Sequence, residues 1–155
     1  MVHTLIDQTD SKILNALQKD AHLTSQQLGE LLNLSPSQAG RRRQRLENRG
    51  IIAGYSARLN ASELGLTVQA FVQVQMATHD PAQVGFFTRK IATLPQVTST
   101  WTLTGDSDFL LRVYCENLQQ LNHLIHEVLL PIPTVARVQS QIVMNQQKAD
   151  APLPT

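Results

Sequence analysis

The spacing of apolar residues changes once along this chain. Up to Gly50 they recur three or four positions apart, and from Ile51 onward they alternate with polar ones. A helical part therefore comes first and a part rich in strands follows, which points to an α+β chain. At 155 residues the length allows one domain of typical size or two small ones, and the switch of period suggests two.

In the first part, Asp7 reads as the cap of a helix with Asp10 near its positive end, and Ile13, Leu14 and Leu17 mark one face. A second helix begins at Leu23-Thr24-Ser25 and turns Leu28, Leu31 and Leu32 inward. Asn33-Leu34 makes a short turn. Ser35 caps a third helix, Pro36 suits its first position and Gln38 completes a capping box. Gly50 fits a left-handed stop. Three short helices, the last two joined by a tight turn, predict a helix-turn-helix.

The second part opens with Ile51 to Leu59, read as a linking strand. Val68, Ala70, Val72, Val74 and Met76 alternate with Gln69, Phe71, Gln73 and Gln75 as a strand does. Asp80-Pro81 caps a helix carrying Val84, Phe87, Ile91 and Leu94. Val97, Ser99, Trp101 and Leu103 alternate with Thr98, Thr100, Thr102 and Thr104, and Gly105-Asp106-Ser107-Asp108 has turn chemistry. Phe109 to Cys115 is a strand, Asn117 caps a helix with Leu118, Leu121, Ile125 and Val128 inward, and Val135 to Met144 is the last strand. The order β-α-β-β-α-β is the ferredoxin-like unit, with both helices on one sheet face. Cys115 and Trp101 are expected in the core. The opposite face would carry the glutamines, Phe71, the threonines, Tyr114, Gln139 and Gln141. It is too polar for a core and too poor in charge for a free surface, so it suits burial against a second copy of the chain. The expected divisions are 1–50, a hinge at 51–66, a sheet domain at 67–147 and a flexible tail at 148–155.

Charge adds a local signal. The chain carries 13 Lys and Arg against 12 Asp and Glu, yet five of the nine residues from Arg41 to Arg49 are arginine. A basic helix on a nearly neutral protein is most simply explained by phosphate. One cysteine excludes an internal disulfide and a cysteine-based zinc cluster. The N-terminus has no signal pattern and no apolar run is long enough to span a bilayer, so the expected location is cytoplasmic.

These segments, in this order, resemble the Lrp/AsnC ("feast/famine") family of transcriptional regulators. The resemblance covers about residues 4–148. Ile6-Asp7-Gln8-Thr9-Asp10-Ser11-Lys12-Ile13-Leu14 is similar to the family's opening, and Leu34-Ser35-Pro36-Ser37 with Arg45-Leu46-Glu47 to its recognition-helix frame. Gly50-Ile51-Ile52-Ala53-Gly54-Tyr55 is similar to its hinge, and Gly105-Asp106-Ser107-Asp108-Phe109 to its Gly-Asp-x-Asp-Tyr/Phe turn. The resemblance implies an N-terminal helix-turn-helix, a C-terminal RAM-type sensing domain, and dimers that assemble to tetramers or octamers. It also implies a small effector, usually an amino acid, bound between dimers. Two residues depart from the pattern: Ala39 and Arg43 stand where the family has aliphatic side chains. Arg43 is expected to lay its stem on the core and send its head to a phosphate. Gly40 is also unusual inside a helix.

A major groove admits one helix whose early residues reach base edges. Ser37, Gln38, Arg41 and Arg42 are the base-reading candidates, and Arg45 and Arg49 lie further along, toward phosphates. The Gly105–Asp108 turn reads from the sequence as a hairpin connection. The resemblance implies a part in the effector pocket, with Thr102, Thr104, Gly105, Asp106 and Asp108 on one subunit and Leu130-Pro131 facing it from a neighbour. No cofactor or metal is expected, and His123 and His126 read as surface residues. No nucleophile–base pair or phosphate-binding glycine loop supports an enzyme. RNA binding on the sheet lacks stacking aromatics, and an architectural DNA-binding role without ligand response remains the alternative.

Overall fold

A computed structural model describes residues 6–149 and 151–155; the first five residues of the expected 1–50 domain, the start of the 4–148 resemblance and Asp150 of the tail lie outside them. The chain divides into two compact units. One is the chain to Arg58 together with Lys148–Thr155, and the other is Leu59–Gln147.

The first unit has three helices, α1 (Gln8–Lys19), α2 (Ser25–Leu32) and α3 (Pro36–Asn48). Each begins with a reciprocal capping box: Asp7 with Asp10, Thr24 with Gln27, and Ser35 with Gln38. These boxes satisfy N–H groups that a helix start leaves orphaned, which is why each start was legible. Asn33 takes the left-handed conformation (φ 55°) after α2, and Gly50 (φ 68°) closes α3. Ile13, Leu14, Ala16, Leu17, Leu28, Ala39 and Leu46 form the core. Leu31, expected inward, is 60% exposed. It lies about 60° from Leu28 on the side away from Leu32, and so short a helix packs only one narrow stripe. A Cβ on Gly29 would lie 2.6 Å from the Leu34 carbonyl oxygen, so only glycine allows the tight turn. Gly40 is less constrained, because its Cβ would meet only a side chain, Ser25 Oγ, at 3.0 Å.

Residues 51–59 do not form the expected linking strand. They have no ladder partner among the described residues, and Ile51 and Ile52 instead pack on the three-helix core. The tail, expected to be flexible, lies on this unit, where the backbone of Leu153 exchanges hydrogen bonds with the Gln18 carboxamide.

The second unit is an antiparallel sheet, ordered β2-β3-β1-β4, of β1 (Val68–Met76), β2 (Val97–Thr102), β3 (Phe109–Cys115) and β4 (Val135–Ile142). Helices α4 (Pro81–Ala92) and α5 (Leu118–His123) complete the ferredoxin-like order. Ala70, Val72, Val74, Leu111, Val113 and Cys115 face the helices, where Phe87, Ile91 and Leu121 meet them. The Phe87 and Phe109 rings stand 5.0 Å apart at 47°.

Two expectations about side chains in this unit are corrected. The first concerns β2. Its register against β3 shifts between Val97 and Ser99. Beyond that bulge Thr100 pairs with Leu111 and Thr102 with Phe109, on the helix face, whereas Ser99 pairs with Arg112 and Trp101 with Leu110 on the open face. One extra residue inverts the alternation, so Trp101, expected in the core, is 43% exposed. The second concerns α5, which runs on as a π-helical stretch, Leu124–Leu129. The wider turn buries Leu124 and Leu129, keeps Ile125 and Val128 partly buried, and leaves Leu118 exposed.

Candidate nucleic-acid interface and ligand pocket

The recognition helix α3 is held against α1 by charge. Asp10 is almost fully buried. Its carboxylate accepts from Arg42 Nη1 at 2.8 Å and from Arg45 Nη2 at 2.5 Å. The same Arg42 nitrogen donates to Asp7 at 2.7 Å, and that guanidinium, with the Asp10 N–H, holds the Asp7 carboxyl below the usual carboxylate range. Two of the predicted DNA contacts, Arg42 and Arg45, thus already carry carboxylate partners.

Arg43 departs from its expected role. Its Nη1 donates to the Leu23 carbonyl at 2.8 Å, and its Nε donates to Glu47 at 3.0 Å and to the Tyr55 hydroxyl at 3.1 Å. The guanidinium also lies 4.9 Å from the centre of the Tyr55 ring. The head is therefore spent inside the unit and not sent to a phosphate. Tyr55 O–H donates to Glu47 at 2.7 Å. That bond, reinforced by Arg43, lowers the Glu47 carboxyl, while burial and the Glu47 contact raise the Tyr55 phenol.

The outward face carries what is left. Ser37, Gln38 and Arg41 are exposed. The Gln38 amide oxygen accepts from Ser35 N–H at 3.0 Å, and Ser37 Oγ lies 3.1 Å from Ser35 Oγ. Arg41 has no hydrogen bond or ion pair among the described residues. Gln38, Arg41, Arg42 and Arg45 line a groove of about 420 Å³. Arg49, exposed at the helix end, does not line it.

A second concavity lies on the open sheet face. Gln73 and Gln75 of β1, Arg137 and Gln139 of β4, and Asp106 and Ser107 of the turn enclose about 140 Å³. Gly105 (φ 107°) makes the turn there. Of the predicted effector residues only Asp106 lines this cavity; Thr102, Thr104, Gly105, Asp108, Leu130 and Pro131 do not. Asp108 instead pins the turn, accepting from Met76 N–H at 2.7 Å and facing His79 Nε2 at 3.1 Å. The alternation puts Arg137 on the face of Gln139 and Gln141, but nothing in the sequence shows which β1 residue stands opposite it. Its significance comes from the pairing of Gln75 with Arg137 across β1 and β4. The arrangement sets a carboxylate and a guanidinium around a polar hole. Among the described residues no group of metal-ligating side chains occurs and no helix is long and apolar enough to cross a membrane.

Residues 6–53 match the winged helix-turn-helix DNA-binding family, and residues 69–153 match the Lrp/AsnC ligand binding domain. The chain is 35% identical over 148 residues to a leucine-responsive regulatory protein of Rhizobium meliloti, covering 96% of this chain and 95% of the relative. It is 30% identical to the DNA-binding transcriptional activator DecR of Escherichia coli, covering 97% of this chain and 99% of the relative. Its fold is similar to that of a Neisseria meningitidis transcriptional regulator in complex with L-methionine, with TM-score 0.91, 34% identity and 96% of each chain covered. These likenesses span both units, and the chain belongs to the Lrp/AsnC family of DNA-binding transcriptional regulators.

Proposed function

We propose that this regulator reads specific DNA sequences through the exposed face of α3, and that an amino acid bound at the Asp106–Arg137 cavity modulates its assembly or DNA binding. The observation that carries the first part is Arg41. It is an exposed and uncommitted guanidinium beside Gln38 on a well-capped helix, and arginine pairs bidentately with guanine. Ser37 and Gln38 belong to the same early turn. Arg42 keeps a place on the rim of the groove, but its pairing with Asp7 and Asp10 makes it an anchor that touches DNA with its remaining N–H groups. Arg45 and Arg49 contact phosphates.

The effector reading is supported by charge. Arg137 suits an α-carboxylate, Asp106 suits an α-ammonium, and Gln73, Gln75, Gln139 and Ser107 offer further hydrogen bonds. That the Neisseria relative binds L-methionine agrees with this chemistry. The open face with Phe71, Trp101, Leu110 and Tyr114 suits a second copy of the chain, and a dimer presents two recognition helices to two half-sites. Assembly beyond the dimer follows the same logic, and an effector can shift it only by binding one assembly better than another.

The test is selection of bound sites from random DNA, with and without pooled amino acids. Arg41→Ala is expected to weaken binding to the selected site far more than to random duplex. Equal loss on both would make Arg41 a phosphate contact and favour the architectural alternative. Asp106→Ala and Arg137→Ala should each abolish the response to amino acids, and a response that survives both places the effector elsewhere.

A further inference from the structure

The residues after the last strand have a place that DNA reading does not explain. Lys148–Thr155 belongs to the first unit, so the chain passes between the units twice, at Arg58–Leu59 and at Gln147–Lys148. From Ala151 the sequence is Ala-Pro-Leu-Pro-Thr. Its prolines favour an extended backbone, and Leu153 between them keeps the one N–H they lack. That N–H donates to Gln18 Oε1 at 2.6 Å, and the Leu153 carbonyl accepts from Gln18 Nε2 at 3.1 Å. A carboxamide, with one acceptor and a donor side by side, thus engages both backbone groups of one residue as a neighbouring strand would. Beside it lies a groove of about 530 Å³ with Ile6, Leu14, Leu17, Ile51 and Ile52 in its wall and the tail along it. Leu153 is 73% exposed, so its backbone makes the contact and its side chain does not plug the groove.

We propose that the C-terminal segment is a strap for the DNA-binding unit of its own chain, lying as one wall of this groove with Gln18 as the latch. A unit tethered at one end swivels on its hinge. One held at both ends has less freedom to lose when it docks on DNA.

The test uses the full chain and trypsin, which cuts after Lys148 and frees residues 149–155 when the strap is open. Gln18→Ala removes the latch, and Leu153→Pro removes the donor N–H, together with an exposed side chain, without altering the helices. Each should speed release of the fragment, by about tenfold where both hydrogen bonds go. Release at the wild-type rate in both variants overturns the strap. Gln18→Cys with Leu153→Cys in a Cys115→Ala background, treated with a short bis-maleimide, should give a cross-link within one chain. A link only between chains overturns the assignment to the chain's own tail. Leu153→Pro should also bind random-sequence duplex several-fold more weakly, and undiminished binding overturns the mechanical role.

Discussion

Asp10 gives the sharpest prediction, because two effects of removing it have opposite signs. It is 1% exposed and holds Arg42 and Arg45 together. Breaking a fully buried ion pair costs about 3–5 kcal/mol, and breaking an exposed one costs about 0–1 kcal/mol. The arginine side chains keep 29% and 47% of their exposure, so water recovers much of the loss and about 2 kcal/mol remains. The N-cap bond from Asp10 N–H to Asp7 survives the change, and only the 3.4 Å bond from Asp7 N–H to the Asp10 carboxylate is lost with it. Asp10→Ala should therefore lower the melting temperature of the DNA-binding unit by on the order of 10 °C, with Asp10→Asn losing less. The same change takes the Asp10 carboxylate from Arg45 and leaves Arg42 with Asp7 alone. If both then find phosphates, the logarithm of the binding constant for random duplex should fall more steeply with the logarithm of salt, by up to about 2 in slope. The assays are thermal unfolding followed by far-ultraviolet circular dichroism, and anisotropy titrations of labelled duplex at several salt concentrations, well below the melting point. A variant that melts like the wild type would show that the carboxylate does not anchor α3. An unchanged slope would refute the idea that the Asp10 carboxylate withholds these arginines from phosphates.

Gly40→Ala should be nearly neutral, because about 1 kcal/mol of helix propensity is offset by a contact 3.0 Å from Ser25 Oγ. In Ser25→Ala/Gly40→Ala the next atom, Ser25 Cβ, lies at 3.6 Å, and the propensity should appear as added stability over Ser25→Ala in denaturant unfolding; no gain would refute the packing account. Glu47 has a lowered carboxyl, so its contribution is present at neutral pH and is lost as pH falls through its folded value; Glu47→Gln should flatten the decline of stability in acid, and an identical decline would remove Glu47 from that role. Trp101 is the only tryptophan and stands on the open sheet face. If a second copy covers that face, its emission should shift to shorter wavelength as concentration drives assembly in sedimentation. A fixed emission maximum across that transition would put the interface elsewhere.

The parts of this fold that were legible in the sequence are those set by neighbours a few residues apart. Asp7 with Asp10, Thr24 with Gln27 and Ser35 with Gln38 close their capping boxes within one turn, so each start could be read locally. The apolar alternation of β1 needed only its own period. The basic recognition helix was equally visible, but the state of its arginines was not. Arg42 is paired with residues 35 and 32 positions earlier, and Arg43 with a carbonyl 20 positions earlier. Those partners exist only once α1 and the start of α2 are packed, and charge counted along α3 gives no hint of which cations are already matched.

The misplacement of Trp101 shows how such a non-local fact reaches the candidate site. Reading Val97, Ser99, Trp101 and Leu103 as one face is correct for a regular strand. It fails here because Thr98 is passed over between the pairs Val97–Val113 and Ser99–Arg112. A bulge has no reliable sequence mark, and it is fixed by the partner strand. Its effect is nonetheless large: it turns the threonines Thr100 and Thr102 toward the helix side, and brings an indole beside Leu110 onto the open face. Thr102 leads into the Gly105–Asp108 turn, which is what suggests it for the effector, and the plain alternation also puts it on the face of the glutamines. With the register corrected Thr102 leaves that face, and the polar cavity is built instead from β1, β4 and Asp106-Ser107. The bulge thus separates two surfaces that a regular alternation would merge. The β2 edge offers an aromatic surface suited to another copy of the chain, and the far side of the same face holds the charged pair suited to a zwitterion.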